Sequence, residues 1–155
     1  MRQIALNCES VLSGFMNHLC GTFESFQSGR GVAVLDCDED SNDAELIAGV
    51  WFDGFNGANM NIHVAAVNGR QWMSRKLLSF VFHYAFTQCG VRRLTGFVAE
   101  SNLAARRFDE HLGFKLETRL KDAVPDGDML VYVMRREDCR WLNLRGGLPP
   151  LMEMH

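Results

Sequence analysis

Lysine is scarce in this chain: three Lys stand against thirteen Arg in 155 residues. Further features are missing, and each absence excludes something. No apolar run approaches the ~18 residues of a membrane span. The opening stretch, MRQIALNCES, lacks the apolar core of a signal peptide, so the expected location is the cytoplasm, with no membrane partner. The five cysteines (Cys8, Cys20, Cys37, Cys89, Cys139) include no CxxC pair and are odd in number. They read as reduced, small hydrophobes rather than a disulfide framework or zinc ribbon. His18, His83 and His111 share no metal-ligand spacing, so no metal is expected. A net charge of −3 argues against a general nucleic-acid binder, which carries a basic excess.

What is present suits one folded domain. Eleven Phe and three Trp supply enough apolar surface to offset chain entropy without staples. No repeat or internal linker divides the chain. The domain is expected over 1–145 and a mobile or docking tail over 146–155, where Gly146, Gly147, Pro149 and Pro150 break regular structure. The preference for Arg matters because a guanidinium pairs bidentately with phosphate and carboxylate. Arginines at helix starts are therefore candidate anion ligands.

Periodicity sets the element order. Val11, Leu12, Phe15, Leu19, Phe23 and Phe26 form one helical stripe over 8–27, with Gly21 dividing or kinking it. Strands are expected over 31–37, 45–55 and 58–67, with Phe55-Asn56-Gly57 as a turn. A helix over 74–89 has Ser74 as its cap, Leu77, Leu78, Val81, Ala85 and Phe86 as its buried face, and Gly90 as its stop. A strand over 91–100 follows. The next helix starts at Asn102, buries Ala105, Phe108 and Leu112, and ends at Gly113. Strands over 114–124 and 128–137 close the chain around the turn Pro125-Asp126-Gly127. Hairpins flanking a strand–helix–strand–helix centre predict a mixed α+β sheet with helices on both faces. The strand pair 58–67 and 91–100 should be parallel.

This order, with the segment from Asn102 through Ala105 and Phe108 to Gly113-Phe114, resembles the GNAT superfamily of N-acetyltransferases. The nearest resemblance is to the branch with ribosomal-protein N-terminal acetyltransferases. The compact size and the Trp72-Met73-Ser74-Arg75 run resemble small bacteriophage proteins of that type. The resemblance implies a mostly antiparallel sheet of six to seven strands, whose central parallel pair is splayed to admit CoA. It implies acetyl-CoA as co-substrate and a primary amine, of protein or small molecule, as acceptor. A non-catalytic binding or inhibitor protein of the same fold is the alternative. Oligomeric state, a homodimer included, stays open.

The resemblance also places the site. The family holds the pyrophosphate in a glycine loop, which aligns here with Gly69, Arg70, Gln71, Trp72, Met73 and Ser74, and Trp72 and Ser74 fill its glycine positions. The exposed N–H groups and dipole of the following helix remain available to an anion. Arg70, Gln71 and Arg75 add donors, with Asn102 and Arg106 as further cofactor contacts. Trp72 is expected to pack on the core or along the neighbouring strand. The thioester should lie beside the main chain of Val64, Ala65 and Ala66. An amine with pKa near ~10.4 must lose a proton before attack. His63 is the candidate base, with core packing as its alternative; Glu100 is the next candidate. The family's proton-donating Tyr, four residues before Gly113, is replaced by Asp109, so Ser101 or water is the candidate donor.

Overall fold

The computed structural model describes residues 1–20 and 28–143. Seven strands form one sheet: β1 (Arg2–Ala5), β2 (Arg30–Cys37), β3 (Ala44–Asp53), β4 (Asn59–Ala66), β5 (Arg93–Ala99), β6 (Lys115–Val124) and β7 (Gly127–Arg135). Their order across the sheet is β1-β2-β3-β4-β5-β7-β6. All pairs are antiparallel except β4 with β5, which is parallel as expected. Three helices, α1 (Glu9–Cys20), α2 (Arg75–His83) and α3 (Leu103–Leu112), complete the mixed α+β fold.

Alternation along the strands assigns the two faces. Val32, Val50, Phe52, Ile62, Leu94, Leu130 and Tyr132 point to one side, where the main core forms with Leu77, Leu78, Val81 and Phe82 of α2 and Leu112 of α3. Ala33, Trp51 and Ala65 point to the other, where they meet Leu12 and Met16 of α1. Helices therefore lie on both faces. Close seating of α1 depends on Gly31 and Gly49, because a Cβ at either position would collide with Leu12. The expected stop of α3 is present: Gly113 takes φ +110° and Phe114 is buried behind it.

Several expectations need correction. β1 was not legible, because a four-residue edge strand carries too little pattern. The α1 stripe is narrower than expected: Val11 and Leu19 are exposed, while Met16 is buried. Its continuation through Gly21, Phe23 and Phe26 lies outside the described residues, as does the 146–155 tail. The helix expected over 74–89 is α-helical only to His83 and then widens into a π-helical turn, Tyr84–Gln88. Phe80, Phe82 and Tyr84 are buried besides the expected stripe, because sheet and C-terminal turns cover this helix on several sides.

Candidate active site

Strands β4 and β5 pair only at Asn59–Arg93, Met60–Leu94 and Asn61–Thr95. Beyond that point they part. β3 and β4 keep one register from Asp53–Asn61 to Ala48–Ala66 without a bulge. The Val67 N–H donates to the Ile47 carbonyl (2.8 Å). Bonding direction alternates along an antiparallel ladder, so Val64 and Ala66 turn their N–H and C=O groups away from β3, toward the opening. Ala65 bonds toward β3, and its small side chain packs under α1. Of the three expected main-chain positions, two face the opening and one does not.

The same register settles His63. It stands opposite Trp51, on the α1 face. Its Nε2 lies 3.1 Å from Asp53 Oδ2, and both side chains are largely buried. The two groups form an ion pair only while the ring is protonated. Asp53 was missed in the sequence. A signal for it existed: in a hairpin turned at Phe55–Gly57, residues 53 and 63 are diagonal neighbours.

The loop before α2 is built differently from expectation. The Arg70 guanidinium is held by Asp36 (2.5 Å) and Glu45 (2.7 Å), and Arg2 bridges Asp36 to the Gln71 carbonyl. These partners hold the Asp36 carboxyl below its ordinary range. Arg70 is thus a brace between the loop and the β2–β3 edge rather than a free anion ligand. Gly69 takes φ +75° in the turn leading into the loop. Ser74 caps α2, its hydroxyl accepting from Leu77 N (3.1 Å), which leaves the N–H groups of Arg75 and Lys76 beside the opening. Arg75 is exposed. Met73 and Trp72 are half-buried against the core. The indole also meets Phe108 of α3, with ring centroids 5.7 Å apart, so it bridges from the loop to α3 rather than lying along a strand.

Residues at the far end of β5 are engaged with one another. Glu100 is ion-paired to Arg119, which also holds Asp128 at 3.0 Å. The Ser101 hydroxyl donates to Asp126 (3.1 Å), Asn102 caps α3 at Ala105 N (3.1 Å), and Arg106 donates to the Glu100 carbonyl (3.1 Å). Asp109 is the surprise. Its carboxylate lies over Gly96 of β5, 3.7 Å from where a Cβ would stand, just past the last β4–β5 pair. Burial, then the neighbouring Glu110 charge, raises its pKa from 3.8 to about 7. A carboxyl group so placed holds its proton over part of the neutral range.

No protein-family model matches the chain, and no curated protein matches it. Solved structures do. A spermidine N-acetyltransferase from Vibrio cholerae, in complex with CoA and spermine, is similar at 16% identity over 92% of this chain and 98% of its own, with a TM-score of 0.67. A GNAT-family acetyltransferase from Bacillus anthracis is similar at 17% identity over 69% of this chain and 66% of its own, TM-score 0.54. The Campylobacter jejuni N-acetyltransferase PseH, in complex with acetyl coenzyme A, is similar at 17% identity over 71% and 70%, TM-score 0.52. At these identities the likeness shows the fold: the chain folds as these N-acetyltransferases do.

Proposed function

We propose that the chain is an acetyl-CoA-dependent N-acetyltransferase that passes the acetyl group directly to a primary amine. The observation that carries this reading is the parting of β4 from β5 after Asn61–Thr95, which turns the main chain of Val64 and Ala66 toward an open gap beside the start of α2. Acetyl-CoA complexes of the same fold support it. So does the resemblance of the Asn102–Phe114 segment to the ribosomal-protein N-terminal branch.

The parts then divide the work across the sheet. The N–H groups of Arg75 and Lys76, with the Arg75 side chain, receive the pyrophosphate. A main-chain N–H of Val64 or Ala66 donates to the thioester oxygen as negative charge develops there, a contribution of ~2.7–4 kcal/mol for a preorganised donor. His63, braced by Asp53 on the α1 face, takes the proton of the attacking amine. The C–N bond forms, the C–S bond breaks, and Asp109 on the opposite face gives its proton to the departing thiolate. A thiol of pKa ~8.5 leaves tolerably without help, so His63 carries more of the rate than Asp109.

A non-catalytic binding protein of this fold is the second reading. The Trp72–Phe108 contact, which spans the loop and α3, favours it. Calorimetry with acetyl-CoA separates the two. Micromolar binding, followed by transfer of labelled acetyl to an amine or peptide panel, is the expected result. A folded protein that takes up no heat and no label is the second reading.

A further inference from the structure

The two parts of the sheet, β1 to β4 and β5 to β6, meet at a narrow seam. β4 and β5 pair at three positions, whereas the β3–β4 and β5–β7 ladders run at least twice as long. A parallel ladder is also slightly less stable per residue than an antiparallel one. One end of the seam is fastened by backbone: the Arg92 N–H donates to the Ala58 carbonyl (2.8 Å). The other end, where the strands part, is fastened by side chains. The Thr95 hydroxyl donates to Asn59 Oδ1 (2.5 Å) and accepts from Arg93 Nη2 (3.2 Å). Arg93 in turn holds both carboxylate oxygens of Glu117, at 3.0 and 2.5 Å. Asn59 Nδ2 donates onward to Asn61 Oδ1 (3.3 Å).

We propose that these side chains form a clasp, and that Thr95 is a positioning residue for acetyl transfer: it fixes where β4 leaves β5, and so how deep the cofactor gap runs. The link to transfer rests on the acetyltransferase reading; the clasp rests on the hydrogen bonds.

The Thr95 hydroxyl has one proton to give, and gives it across the seam, while its lone pairs take the guanidinium. Thr95 is 7% exposed, so water does not readily replace a lost partner. Glu117 is the residue that a bulge adds to β6: Leu116 stands opposite Tyr132 and Thr118 opposite Val131, with Glu117 between them. Bulges re-aim side chains, and this one directs a carboxylate past β7 to β5. The two-pronged grip of guanidinium on carboxylate is specific in geometry. Past Thr95, β5 continues as Gly96 and Phe97, which carry no side-chain hydrogen-bonding group to extend the clasp. His63 and Val64 follow closely on Asn61, so a seam that opened by one more pair would move both relative to β5.

The test is Thr95→Val in the full chain, which keeps shape and strand preference and removes the hydroxyl. Amide hydrogen exchange over residues 58–62 and 92–96 should quicken at least about tenfold, with β2 and β3 unchanged. Acetyl-CoA should bind at least about fivefold more weakly by calorimetry. Thr95→Ser, which keeps the hydroxyl, should behave as the wild type in both. Glu117→Ala, on an exposed edge strand, should act in the same direction with a smaller change, and it decides the matter if Thr95→Val does not fold. Wild-type exchange at the seam in the deciding variant overturns the clasp, as does Thr95→Ser behaving like Thr95→Val. Faster exchange with unchanged acetyl-CoA affinity overturns the positioning role. Failure of the acetyltransferase reading looks different: the wild type binds no acetyl-CoA, while exchange at the seam still responds to Thr95→Val.

Discussion

The two halves of β4 contrast sharply. In the half paired to β5, Asn59 to Asn61, the β5 edge is closed, and at its end lies a cavity lined by Phe52, Phe55, Met60 and Tyr84. In the parted half, Val64 to Ala66, one edge is open, and its surroundings are polar or bridged: the Arg70 ion pairs, the Ser74 cap, the Trp72–Phe108 contact and the buried Asp109. The difference teaches where each kind of specificity can come from. Backbone donors at a strand edge and a helix start recognise a phosphate-bearing, amide-rich ligand without needing particular side chains. An apolar cavity recognises by shape, and its choice is written in side chains.

The largest effect should come from the parted half. Asp109 has a folded pKa near 7 against 3.8 unfolded, so the folded state binds the extra proton between those values. Stability should therefore be greatest below pH ~4 as far as this group is concerned, decline through pH 4–7, and stay reduced above. The shift corresponds to about 4 kcal/mol at most. Urea unfolding of the wild type and Asp109→Asn at pH 4.5 and pH 8 measures it. The variant should gain on the wild type at pH 8, and equal responses at both pH values would show that the carboxyl is solvated.

Between the two halves, just past the last β4–β5 pair, His63→Gln keeps volume and a donor but cannot take a proton at neutral pH. Acetyl transfer should fall at least about 10²-fold with acetyl-CoA affinity preserved. A wild-type rate in this variant would reduce His63 to a packing residue, and unfolding would make it a core histidine. Returning to the parted half, Arg70→Ala with Arg75→Ala should weaken acetyl-CoA about tenfold, about 1.4 kcal/mol. Arg75→Ala alone should account for most of the loss in calorimetry, because Arg70 is already committed to Asp36 and Glu45. The smallest signal is optical. Cofactor entering the gap should separate Trp72 from Phe108 and alter the indole emission, a change absent in Trp72→Phe. Emission that ignores acetyl-CoA while calorimetry shows binding would mean the ring stands clear of the ligand.

How much of this could be read from residues differs between the halves for the same reason. The element order along the chain from β2 onward, the parallel pair and the α3 stop follow from periodicity and from Gly113-Phe114, which act over a few neighbouring residues. The main-chain positions Val64, Ala65 and Ala66 were expected from the resemblance, and the β3–β4 register turns two of them toward the opening. The Arg70 brace did not, because Asp36 and Glu45 come from two other strands. The cavity did not either: its walls come from the starts of β2 and β4, the end of β3 and the π-helical turn, elements distant in the chain.

By itself, the sequence determined the class of sheet and the placement of most helices and strands, because alternation, capping residues and glycine stops are local signals. Only tertiary structure decided what each charged group does. Asp109 reads as an ordinary exposed acid until α3 packs it over Gly96 and withdraws its water. Glu100 reads as a strand-end carboxylate with no partner in view, and the fold sets Arg119 against it. The free energy of a charge depends on what surrounds it in space, and that neighbourhood is assembled from segments far apart along the chain.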